Sequence, residues 1–169
     1  MLILQALKTA SRHIGTNYFL LPVAGKVNPT KRERVYCYEL YHQLRIALNG
    51  TSLTLTGEPD KRGNPDFSSG KQPNPDFILH TPGHHQDNTA VIEVECSPSK
   101  KHLIKDLKTL KLMKDKGYQV LILLLFASNE VPWQRLKLAA SEAEINLDEI
   151  VVFLHQAADT AATQERPQI

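Results

Sequence analysis

The segment AVIEVEC, residues 90–96, sets two glutamates, Glu93 and Glu95, into a run otherwise made of apolar residues. Such a run reads as a strand, and successive side chains of a strand point to opposite faces. Val91, Glu93 and Glu95 therefore share one face, while Ile92, Val94 and Cys96 share the other. Two carboxylates on one face, two residues apart, repel each other. Covering that face with a helix costs several kcal/mol unless something positive sits beside the pair. Two outcomes stay open: a solvent-exposed strand face, or a site where a lysine or a divalent cation neutralises both charges.

A third carboxylate bears on the choice. The tetrapeptide Asn-Pro-Asp-Phe occurs at 64–67 and again at 74–77. Asp66 precedes SSGKQPNP, which has no strand character, so the first copy reads as turn chemistry. In the second copy, Pro75 keeps Asn74 out of the helical region and the chain enters DFILH (76–80) already extended. Asp76 is then expected as the first strand residue, with Ile78 and His80 on its face. Sixteen residues separate Asp76 from Glu93, enough for a strand, a reversal and a return, so the two are expected side by side. Glu58, directly after SLTLTG, is better placed to join them than Asp60. Converging carboxylates make an oxygen-rich site of the kind hard divalent cations prefer, Mg²⁺ or Mn²⁺ first. His80, His84, His85 and His102 lie nearby in the chain, which keeps a His/carboxylate transition-metal site as the alternative.

The rest of the chain must supply the frame. MLILQALKTASRH (1–13) reads as a short helix, and residues 14–34, with scattered Gly, Pro and Asn, as mostly loop. A helix follows at about 32–48, with Leu40, Leu44 and Leu48 as its main apolar stripe beside Cys37 and Tyr41. Val35, Glu39, His42 and Ile46 form a second, narrower line, and Asn49-Gly50 ends the helix. TSLTLT (51–56) is a strand, and residues 57–75 are a turn-rich excursion carrying Lys61 and Arg62. DFILH and AVIEVEC flank a hairpin-like loop at 81–89. Pro98 and Ser99 open a long helix at about 99–116, closed by Gly117. YQVLILLLF (118–126) is apolar throughout, as a strand covered on both faces must be. A helix from Pro132 to about 144 and a last strand, EIVVFLH (149–155), complete the order. The early strands have short links and pair antiparallel; the later ones are joined through helices and run parallel. The expected class is α/β, with a mixed central sheet flanked by helices. Residues 156–169 are polar and unpatterned and are expected to be a frayed tail.

At 169 residues, with 41% hydrophobic and 22% charged, the chain suits one domain with one well-buried core. The net charge of +2 permits a polyanionic partner without arguing for one. Cys37 and Cys96 lie far apart with no Cys-x-x-Cys, so a zinc knuckle or disulfide framework is not indicated and a reducing, cytoplasmic setting is expected. No apolar run approaches the roughly 20 residues of a membrane span. The basic residues of the N-terminal segment follow its apolar ones, against the order of a signal peptide. Glycine-rich phosphate loops, Gly-x-Ser-x-Gly and His-Glu-x-x-His are all absent.

With Pro75-Asp76, then Glu93-Val94-Glu95, Glu39 on the preceding helix and the lysine-rich helix SKKHLIKDLKTLKLMKDKG after them, the chain resembles the PD-(D/E)XK nuclease superfamily. The resemblance spans about residues 33–126, and that superfamily's core order, α-β-β-β-α-β, agrees with the order read above. It implies a restriction-endonuclease-like core and an Mg²⁺-dependent endonuclease, with Mn²⁺ as a substitute and DNA as the expected partner. By the same resemblance Asp76 and Glu93 are metal ligands and Glu39 is an accessory carboxylate. Glu95 occupies the position that is usually lysine, where it would serve as a further metal ligand or general base. The missing positive charge would then come from the next helix, where Lys101, Lys105 and Lys108 share a face; Lys105 is the preferred candidate. Lys100, Lys101, Lys61 and Arg62 are placed to touch the nucleic-acid backbone. Site specificity would need loop 57–74, a homodimer or a partner specificity protein. A fold relative that has lost cleavage and serves as a nucleic-acid-binding or assembly module is the rival expectation, motivated by Glu95. An unrelated α/β metallohydrolase comes third.

Overall fold

Val120–Phe126 is buried at every position, and the sheet is assembled outward from this strand, β4. The computed structural model describes residues 2–59, 74–81 and 88–167. The sheet has six strands in sequential order: β1 (Thr54–Gly57), β2 (Phe77–His80), β3 (Asn88–Glu95), β4, β5 (Ile150–His155) and β6 (Thr163–Glu165). β1, β2 and β3 pair antiparallel, β3–β4 and β4–β5 pair parallel, and β6 returns antiparallel to β5. The mixed α/β class follows the rule applied to the sequence: short links gave antiparallel neighbours, helical links gave parallel ones.

Helices α1 (Leu2–Ser11), α2 (Thr16–Phe19) and α3 (Glu33–Ala47) cover one face of the sheet. Tyr36, Leu40 and Leu44 line the buried side of α3 and meet Ile92, Val94, Ile122 and Leu124. Helices α4 (Lys100–Asp115) and α5 (Trp133–Ala143) cover the other face, where Leu103, Leu107 and Leu110 pack with Val91, Leu121, Leu123 and Leu125. The even and odd residues of β4 thus feed two separate cores. Each fully buried Leu or Ile stabilises by roughly 1.5–3 kcal/mol, and truncating one to Ala costs about 2–5 kcal/mol.

The ends of α4 follow from local chemistry. Ser99 is its N-cap, accepting from the His102 N–H at 3.2 Å. Gly117 lies just past its end with φ +87°, the left-handed conformation that a residue with a Cβ resists.

Three sequence expectations need correction. Residues 16–19, expected in a loop, form α2, whose Phe19 is buried. Asp76 is not the first residue of β2; it immediately precedes it. The tail beyond 155 is not frayed through its described part: Thr163–Glu165 forms β6, and Ala162 is 1% exposed with its N–H on Ser11 Oγ at 2.8 Å. Among the described residues no helix is long and apolar enough to cross a membrane.

Candidate metal centre

The antiparallel register pairs Phe77 with Ile92, so Asp76 falls opposite Glu93. Two backbone contacts fix Asp76: its Oδ2 accepts from the Val94 N–H at 2.7 Å, and its carbonyl accepts from the Glu58 N–H at 2.9 Å. The two carboxyl groups act on each other: Glu93 helps hold Asp76 down, while Asp76 pushes Glu93 up. Glu93 is 1% exposed, and its Oε1 has no hydrogen-bond partner among the described residues. Burial, then the charge of Asp76, holds the Glu93 carboxyl well above its ordinary range. Burial also raises Asp76, against the opposing effect of the Val94 N–H.

Glu95 shares the face of Glu93 and is likewise buried. Its carboxylate accepts from the Ser97 N–H and lies 3.0 Å from His102 Nδ1 on the first turn of α4. Glu33, at the first turn of α3, completes this side: single ligand atoms of Glu33, Glu95 and Cys96 all lie within 4.8 Å of one another. Burial, then the charges of Asp76 and Glu95, pushes Glu33 up to about 7.

Asp106 was missed in the sequence. It sits on the buried side of α4, between Leu103 and Leu107, and is 3% exposed. That side faces β3, and the charge of Asp106 acts on Glu93. Its Oδ1 is 3.5 Å from Lys105 Nζ, whereas Oδ2 has no partner among the described residues. Burial pushes Asp106 up to about 7, with Lys105 opposing and Glu95, Asp76 and Glu33 adding to the rise. The signal was present: Leu103, Asp106, Leu107 and Leu110 are spaced i, i+3, i+4, i+7, a helix's buried stripe with a carboxylate inside it.

The structure sets Asp76 opposite Glu93, while Glu95, two residues along the same face, has its ligand atoms beside those of Glu33 and Cys96, and Asp106 acts on Glu93 from α4. Glu39 does not join. Its carboxylate accepts from Gln43 Nε2 at 2.7 Å, and the acid that α3 presents to Asp76 and Glu95 is Glu33. Six helical positions rotate Glu39 by roughly 240° from Glu33, onto another side of the helix. Glu58 stands next to the group, with Arg34 Nε 3.6 Å from its Oε1. Lys105 serves the site electrostatically: burial lowers its pKa, but Asp106, Glu93 and Asp76 outweigh that and raise it. Lys101 is exposed, and Lys100 is paired with Glu142 of α5 at 2.8 Å. Lys61, Arg62, Asp66, His84 and His85 lie outside the described residues.

An apolar interior does not hold this many carboxyl groups as ions unaided. The buried oxygens of Glu93 and Asp106, on facing elements, have no hydrogen-bond partner among the described residues, and oxygen is the donor that a hard divalent cation takes. Among the described residues, the ligand atoms close enough to share one ion are those of Glu33, Glu95 and Cys96, a group that includes a softer thiol. No protein-family model matches the chain, and no curated protein matches it.

Proposed function

We propose that this chain is a divalent-cation-dependent nuclease of the PD-(D/E)XK type, hydrolysing phosphodiester bonds of nucleic acid, DNA first. The observation that carries the reading is Asp76 set opposite a buried Glu93 whose Oε1 has no hydrogen-bond partner among the described residues. The strand order supports it: a helix, three antiparallel strands, a helix and a parallel strand run in the sequence expected of that superfamily's core.

Asp76 and Glu93 would hold the cation, with Glu95 and Asp106 flanking it. Bound there, Mg²⁺ or Mn²⁺ supplies Lewis-acid stabilisation of the phosphate and acidifies a water molecule. The protein's own work is positional. The Val94 N–H orients Asp76, and the Ser97 N–H and His102 orient Glu95. Glu93 must lose its proton for Oε1 to act as a ligand, so cation and proton compete for one group. Lys105 provides the positive charge that Glu95 cannot, close to where charge builds on the phosphate.

The test is nicking of supercoiled plasmid with Mg²⁺, Mn²⁺ or EDTA. Cation-dependent nicking is expected, reduced about 100-fold or more in Asp76→Ala and Glu93→Gln, since even outer-shell changes cost 10–100-fold. The presence of Glu95 at the customary lysine position favours a second reading, a binding module that no longer cleaves. DNA binding without nicking under either cation would select that reading over the first.

A further inference from the structure

From Asp76 a groove of about 600 Å³ runs along α3 and β1, the edge strand among the described residues. One wall carries Tyr38, Tyr41 and Arg45, spaced i, i+3 and i+7 and so on one side of the helix. The other wall carries Thr56, Glu58 and, at the candidate metal centre, Asp76. Tyr41 is structural: its hydroxyl donates to the Leu55 carbonyl at 3.3 Å and its ring stacks on Phe77. Tyr38 is not. It is 65% exposed, a large aromatic surface left open to solvent in the groove that Arg45 also lines.

We propose that this groove binds an unpaired nucleotide flanking the scissile phosphate, its base stacked on Tyr38 and its backbone held by Arg45. The proposal rests on the nuclease reading and names its substrate class: single-stranded nucleic acid, or a duplex carrying an unpaired end. Three observations select this occupant. The volume lies in the range of small-ligand sites, roughly 300–1,000 Å³, which suits a nucleotide. An exposed aromatic and a cation lining one groove are what sequence-tolerant binding of single strands uses. The groove also reaches Asp76, the residue of the candidate metal centre that lines it, so a strand lying in it would bring a phosphate to that carboxylate.

The experiment is fluorescence anisotropy of the full chain with a labelled single-stranded 12-mer and the matching blunt duplex, Ca²⁺ replacing Mg²⁺. The single strand is expected to bind at least 10-fold tighter than the duplex. Tyr38→Ala and Arg45→Ala should each weaken it about 5- to 100-fold, with Tyr38→Trp restoring affinity. Tyr38 is exposed, so folding is checked simply by an unchanged melting temperature. Equal affinity for Tyr38→Ala and wild type, or preference for the duplex, overturns the proposal even if plasmid nicking stands. Tyr38-dependent binding without nicking leaves the groove in place and removes the nuclease reading alone.

Discussion

Tyr36 and His155, 119 positions apart in the chain, meet in the core with the Tyr36 hydroxyl 2.8 Å from His155 Nδ1. Both are 0% exposed, and the Tyr36 ring stacks on Phe126 with centroids 3.9 Å apart. Burial pulls His155 down to about 4, so at neutral pH the imidazole is uncharged and shares one hydrogen bond with the hydroxyl through Nδ1. The pair ties the first turns of α3, which carry Glu33, to the C-terminal end of β5. Tyr36→Phe keeps the stacking and leaves a buried ring nitrogen without that hydrogen bond. The expected loss is about 1–3 kcal/mol, read as a lower urea midpoint with an unchanged slope. An unchanged midpoint would mean that this bond adds nothing to the packing around it.

Asp106 gives the clearest dependence on pH. Its carboxyl moves from an ordinary 3.8 to about 7 in the fold, chiefly through burial. Between those values the native state keeps a proton that the unfolded chain has released. Stability linked to Asp106 is therefore greatest at acid pH and is lost as pH rises through about 7. Asp106→Asn removes that loss without changing side-chain shape. In EDTA, the melting temperature of the variant minus that of wild type should be smallest near pH 4, grow until about pH 7, then level off. Added Mn²⁺ should stabilise wild type more than the variant at pH 8, because a cation that binds only the native state raises its stability. A difference that stays flat with pH would show that Asp106 is ionised in the metal-free protein.

What the sequence displayed and what it hid divide along physical lines. Glu93 and Glu95 were legible because strand alternation has a period of two and apolar neighbours fix the face. Asp76 was legible because Pro75 and the short return to β3 leave little freedom in register. Glu33 was hidden by an ordinary role, since an acid in a helix's first turn already suits the helix dipole. Only the tertiary approach of α3 to the end of β3 separates it from Glu39. β6 was hidden because Thr163, Gln164 and Glu165 have no apolar pattern: it is an edge strand held by backbone pairing to β5, next to a buried Ala162.

Lys105 is the residue on which the departure at Glu95 turns. Its side chain is 72% exposed, and the nearest carboxylate oxygen, on Asp106, is 3.5 Å from Nζ. Lys105 is exposed and its partner Asp106 is buried and neutral below about pH 7, so below that pH Lys105→Ala should leave the melting temperature nearly unchanged. Its charge nevertheless acts on Asp76 and Glu93, where phosphate charge would accumulate. Removing a preorganised group that stabilises developing charge costs about 10²–10³-fold in rate. The nicking rate of Lys105→Ala should fall by about that factor. Lys105→Arg, which keeps the charge, should recover most of the loss. Because Lys105 also offsets the cluster's negative charge, the alanine variant should bind Mn²⁺ at least as tightly as wild type. Lost rate together with kept metal is therefore the signature of a role at the phosphate. Nicking by Lys105→Ala at the wild-type rate would place the compensating charge elsewhere, with Lys101 the next residue to replace.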